Sequence, residues 1–219
     1  MGMIEMGVPR ELVLDLAKLC NIETFIETGT YRGGTCSWAA EHFKVVHTIE
    51  RAEQIFQENQ TRLADVKGLR MHLGDSRDRL PEIVNELGTS PAIHWLDGHW
   101  SGGFTAGEQD ECPLIEELAC LRGRENDIVL IDDARMILCA PPLPHDASQW
   151  PTFPELMEAA NSIHAKSFTQ VVSDVIIIVP DRDDIRARVI DFARSRAPGL
   201  TRQTFRKRLA RLIAKKIGG

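Results

Sequence analysis

A doubly wound α/β fold, built on a seven-stranded sheet that is mostly parallel and closes with an antiparallel hairpin, is predicted by three features of the sequence. Short apolar, β-branched runs alternate with stretches of helical periodicity, the pattern of stacked βαβ units. No repeat, low-complexity tract or linker interrupts that alternation. Near the end, SFTQVVSDVIIIVP holds two β-prone runs separated only by Ser173 and Asp174, too short for a crossover helix, so these runs pair antiparallel.

The elements follow in order. Val8 to Cys20 reads as a helix, and Pro9 suits its first turn. Strands are expected at Thr24 to Thr28, Val45 to Glu50, Leu69 to Leu73, Ala92 to Asp97 and Ile128 to Asp132. Between them, Thr35 to Phe43, Ala52 to Val66, Arg77 to Leu87 and Pro113 to Leu121 carry helical patterns. The Pro-rich APPLPHDASQWPTFP is too punctuated for regular structure and is expected to act as a lid or substrate loop over 140–152, followed by a helix from Pro154 to Ala165. The whole reads as one Rossmann-like domain over 1–219, with an N-terminal helix at 8–20.

Composition bounds the function. A chain of 219 residues buries roughly 70% of its unfolded surface, enough for a substantial core. The net charge of -6 argues against a general nucleic-acid binder, which needs a surplus of Lys and Arg. No apolar run approaches the ~20 residues of a membrane span, and MGMIEMGVPREL lacks the pattern of a secretory signal. A cytoplasmic home is the expectation. The five cysteines, Cys20, Cys36, Cys112, Cys120 and Cys139, lack zinc-site spacing and read as reduced thiols.

In an open α/β sheet, ligands sit at the carboxyl ends of the strands beside the point where strand order reverses. After the first strand, FIETGTYRGGTCSWAA places Gly29, Gly33 and Gly34 where the backbone turns tightly and approaches a ligand. Glu50 closes the second strand about 20 residues after the first glycine, where a carboxylate accepts both hydroxyls of a ribose. This pair fits a nucleoside without naming it. Glu27 before the turn suits an ammonium rather than a pyrophosphate, and LGDS puts Asp75 where an adenine amino group is read.

ETGTYRGGT resembles motif I of class I S-adenosylmethionine-dependent methyltransferases, HTIE resembles the acidic strand end that binds ribose, and LGDS the one that contacts adenine. The resemblance covers Phe25 to Val179, and the five strands with a closing hairpin match the family's order of elements. Tyr31 stands where the commonest pattern has a second glycine. The resemblance implies that Glu27 and Gly29 serve the methionine part of S-adenosylmethionine, Glu50 the ribose, and Asp75 with Ser76 the adenine, with Tyr31, Gly33 and Asp97 also among the cofactor-binding residues.

The fourth and fifth strands run into WLDGHWSGG and LIDDAR, bringing Asp97, His99, Asp132 and Asp133 to the same rim. His99 is the expected general base, because imidazole titrates near neutrality, with Asp97 beside it. Carboxylates so grouped also suit a hard cation. Asp97, Asp132 and Asp133 resemble the magnesium ligands of metal-dependent sugar O-methyltransferases, with His99 in place of an acidic residue, and this implies Mg2+ and an O-methylated small polar acceptor such as a sugar. Glu108, Asp110 and Glu111 read as acids complementing the dipole of the next helix, His94 as a core residue, and Trp100 as a wall of the acceptor pocket.

From Thr201, TRQTFRKRLARLIAKKIGG forms a basic amphipathic pattern over 201–217, suited to packing on its own domain, to a subunit or to an anionic membrane. Three rival functions share these motifs: an NAD-dependent oxidoreductase, a carboxylate/His metal-dependent hydrolase, and a non-catalytic nucleoside-binding scaffold.

Overall fold

The computed structural model describes residues 7–103 and 105–196. The basic 201–217 segment lies outside the described residues. The order is α1 (Arg10–Cys20), β1 (Thr24–Thr28), α2 (Gly34–Ala40), β2 (Val45–Glu50), α3 (Glu53–Arg62), β3 (Leu69–Leu73), α4 (Ser76–Leu87), β4 (Ala92–Leu96), α5 (Leu114–Cys120), β5 (Ile128–Ile131), α6 (Arg135–Leu138), α7 (Phe153–Ala160), β6 (Ser167–Val172), β7 (Val175–Pro180) and α8 (Asp183–Arg196).

Seven strands form one sheet in the order β3-β2-β1-β4-β5-β7-β6. The first five pair parallel, while β7 runs antiparallel to both β5 and β6. Strand order reverses between β1 and β4, so the expected ligand crevice lies beyond Thr28 and Leu96. Strand side chains alternate between two cores. Phe25, Trp95, Leu130 and Ile177 face a core shared with α1, α2 and α8; Ile26, Leu96, Val129 and Ile178 face a second one shared with α4, α5 and α7.

The predicted strands match β1 to β3, and β4 and β5 end one residue earlier than expected. Asp97 and Asp132 fall just outside because each turns its side chain into the crevice while its amide still bonds back to the neighbouring strand: Asp97 N to Thr28 O at 3.2 Å and Asp132 N to Leu96 O at 3.1 Å. Two elements go beyond the sequence reading. α8 buries Ile185, Val189 and Phe192 along one side of a charged sequence, and α6 is a single turn that follows Asp133. The Pro-rich loop holds one 3-10 turn at Ala147–Gln149. No helix among the described residues is long and apolar enough to cross a membrane.

Candidate active site

The ends of β1, β2, β4 and β5 enclose a cavity of about 350 Å³. Its lining includes Gly29, Tyr31, Glu50, Asp75, Ser76, Asp97, His99, Asp132 and Asp133. Nine of the expected site residues thus meet at one place. Glu27 and Gly33 stand outside the lining.

The turn after β1 is shaped by contact with β4. Gly29 has φ +82, and a Cβ there would lie 2.1 Å from the Asp97 carbonyl oxygen, so only glycine fits. Tyr31 holds φ 43, and its amide donates to Glu50 Oε2 at 2.9 Å. Glu50 Oε1 accepts the Ala52 amide at 2.8 Å. With both oxygens fixed by backbone donors, each retains acceptor capacity toward the cavity. Burial raises the Glu50 carboxyl above its ordinary pKa against these bonds.

Glu27 supports the turn from behind. Thr48 Oγ1 donates to Glu27 Oε2 at 2.7 Å, so at the 2.6 Å contact between Thr30 Oγ1 and Thr48 Oγ1 the proton comes from Thr30. Burial pushes the Glu27 carboxyl up to about 8. Gly33 precedes α2 at φ +61, a left-handed conformation that favours glycine, and it turns towards the Leu63 side chain at the end of α3 rather than towards the cavity.

Asp75 caps α4 by accepting the Arg77 amide at 3.0 Å, and its carboxylate is gripped by the Arg77 guanidinium and approached by Arg51 at 3.4 Å. The Arg77 hydrogen bonds hold Asp75 below the usual carboxylate range. Arg77 also binds Asp110, tying α4 to the segment after the glycine-rich stretch, of which Ser101, Gly102, Thr105 and Ala106 line the cavity. Asp110 therefore serves an arginine, correcting its reading as a helix-dipole acid. Glu111 differs in the same way: it accepts from His145 Nδ1 at 2.8 Å, the Asp146 amide at 2.8 Å and Trp150 Nε1 at 2.7 Å.

His99 sits among three carboxylates. Its Nε2 lies 3.0 Å from Asp133 Oδ2 and its Nδ1 3.6 Å from Asp97 Oδ1. Burial works against the charged imidazole, but the Asp133 hydrogen bond and the charges of Asp97, Asp133 and Asp132 outweigh it and raise its pKa. Burial lifts Asp97 to about 7 and Asp132 to about 6. On Asp133 the upward push of burial is overcome by His99 and Arg135. Asp133 adopts φ 54, and Asp174 in the β6–β7 turn fixes it by accepting the Arg135 amide at 3.0 Å and pairing with the Arg135 side chain.

These bonds do not suit magnesium. The Asp133 oxygens are taken by His99 and by Arg135 Nη1 at 2.9 Å, and Asp132 Oδ1 accepts the Asp133 amide at 2.8 Å. The Arg135 guanidinium pairs with Asp133, and no group of three or more His, Cys, Asp or Glu among the described residues is arranged to hold a metal. The expectation that Asp97, Asp132 and Asp133 hold Mg2+ therefore finds no support in this arrangement.

The sequence reading passed over Glu117. It is buried beside Gly98 of the cavity wall, burial pushes its carboxyl up to about 7, and its Oε1 has no hydrogen-bond partner among the described residues. Its place in α5, one turn after Pro113, was the available signal. His94 is a core residue whose Nε2 pairs with Asp127 Oδ2 at 2.7 Å. Trp100 does not line the cavity; its ring packs edge-on against His145. The 140–152 loop also contributes nothing to the lining and reaches the site through Trp150, behind His99.

Comparisons with solved structures agree with this architecture. The chain is similar to the O-methyltransferase TomG from Streptomyces achromogenes, involved in tomaymycin synthesis and solved in complex with SAM. The identity is 18% and the TM-score 0.51, covering 81% of this chain and 82% of that one. An O-methyltransferase from Bacillus cereus in complex with SAH matches at 14% identity and a TM-score of 0.49, over 80% and 82% of the two chains. A precorrin-6y C5,15-methyltransferase from Geobacter metallireducens matches at 12% and 0.48, over 81% and 92%. No family model and no curated protein matches the sequence. By its sheet order, its terminal hairpin and its likeness to TomG, the chain has the fold of the class I methyltransferases.

Proposed function

We propose that this chain transfers a methyl group from S-adenosylmethionine to a hydroxyl of a small polar acceptor, a sugar or a related metabolite. The observation that carries the reading is the pairing of Gly29, which leaves no room for a Cβ against Asp97, with Glu50, whose carboxylate two backbone amides fix at the same cavity. Bound there, S-adenosylmethionine would supply a methyl group already activated on a sulfonium.

The chain's own residues then bind, orient and move one proton. Glu50 accepts the ribose hydroxyls. Asp75 is occupied by Arg77 and Arg51, so it borders the adenine end as a fixed ion pair while Gly74 and Ser76 form the wall. Asp133 accepts the proton on His99 Nε2, which leaves the Nδ1 lone pair free to take the proton of the acceptor hydroxyl. The imidazolium so formed lies beside Asp97, Asp132 and Asp133, whose charges stabilise it. No step requires a metal ion.

The test is incubation with methyl-labelled S-adenosylmethionine and a panel of sugars and other small hydroxyl compounds. Label recovered as a methyl ether is the expected result. Label recovered only on amines would overturn the choice of oxygen.

A further inference from the structure

Glu111 is a carboxylate only 2% exposed, and the proposed chemistry gives it no task. It faces no arginine or lysine in any bond described above; its charge is met by three N–H donors, all from 145–150. Its backbone adds two more ties: its amide donates to Gln149 Oε1 at 3.0 Å and its carbonyl accepts from the Trp100 amide at 2.7 Å. Burying a carboxylate is costly, and an apolar residue would pack a loop more cheaply. What a carboxylate adds is direction, because each N–H it accepts is fixed in orientation as well as place.

Trp150 is the donor that matters most. Its indole N–H points to Glu111, while its ring centroid lies 5.4 Å from that of His99 at an interplanar angle of 57°. The rings of Trp100, His145 and Trp150 succeed one another edge-on, at 5.2 and 5.7 Å. His99 therefore has carboxylates at both nitrogens and an indole at its back. The rest of the loop is free of the cavity, and Leu143 at its apex is 92% exposed.

We propose that Glu111 is a positioning residue: by clamping the indole of Trp150 it sets the orientation of His99. The inference rests on the reading of His99 as the base of the transfer site. Its test needs neither cofactor nor acceptor.

The full chain, labelled with 15N on tryptophan and histidine, is compared by NMR with Glu111→Gln, Trp150→Phe and the double variant; His99→Asn identifies the His99 ring signals. In the wild type, one indole N–H signal lies downfield and vanishes in Trp150→Phe. Glu111→Gln moves that signal to the position of an uncharged partner and shifts the His99 ring signals. Trp150→Phe, which keeps an aromatic ring and removes the N–H, shifts the His99 signals in the same direction, and the double variant shifts them no further than either alone. His99 signals that stay in place in both single variants, or shifts that add in the double variant, overturn the proposal. Variants that show these shifts, with a wild-type protein that fails to bind S-adenosylhomocysteine, remove the methyl-transfer reading and leave the clamp.

Discussion

His99 Nε2 and Asp133 Oδ2 lie 3.0 Å apart although they come from different strand ends, after β4 and after β5. The contact exists because Asp133 adopts a left-handed conformation and Arg135 and Asp174 hold it there. Replacing His99 with Asn is predicted to lower turnover about 100- to 10,000-fold, the usual weight of a general base. Affinity for S-adenosylhomocysteine, measured by calorimetry, is expected to change by less than about two-fold, because a residue acting in the chemical step affects turnover rather than binding.

The surroundings of His99 also set a pH dependence. Its pKa lies above the ordinary imidazole value, and the base must be neutral to accept a proton. Turnover therefore rises with pH through a value above 6.5, and Asp133→Asn, which removes the raising interaction, moves that limb to lower pH. A limb that stays in place in Asp133→Asn would assign it to another group.

Gly29→Ala tests the turn. The added Cβ would stand 2.1 Å from a backbone carbonyl at φ +82, a clash no side-chain adjustment relieves. A loss of about 3 kcal/mol in unfolding free energy is expected from strain and overpacking, together with loss of nucleoside binding. Denaturant unfolding and calorimetry measure the two separately.

Buried Glu27 links stability to pH. Its carboxyl titrates near 8 in the folded protein, against an ordinary 4.5, because burial disfavours the charge. The folded state keeps a proton that the unfolded state gives up, so this stabilisation is complete below about 4.5 and is lost as pH rises towards 8. Glu27→Gln, which can still accept from Thr48, should reduce the decline in stability over that interval; an unchanged slope would place the proton elsewhere.

Chelation gives the last contrast. With Arg135 and His99 holding Asp133, both turnover and S-adenosylhomocysteine binding are expected to be the same in excess chelator as in added magnesium. Loss of turnover restored by magnesium would mean that Arg135 yields its place to an ion.

The strand ends were legible because β-branched runs stop at polar or glycine residues, and parallel pairing puts all those stops on one rim. Gly29, Glu50, Asp97 and Asp132 follow from that rule alone. The partners of the acids did not follow. Arg77 meets Asp110 across 33 residues, and Glu111 meets Trp150 across 39, through loops whose course periodicity does not encode. Local reading therefore gave Asp110 and Glu111 to the nearest helix. α8 escaped notice because its three buried residues are spread among charges, so its apolar stripe is narrow.

Calorimetric titration of the protein with S-adenosylhomocysteine, in parallel with NADH and repeated on Glu50→Gln, tests the central claim most directly. The account predicts binding of S-adenosylhomocysteine alone, weakened about 10- to 100-fold by Glu50→Gln through loss of the charged acceptor. Binding of NADH in its place, or no binding of either by the folded protein, would contradict it.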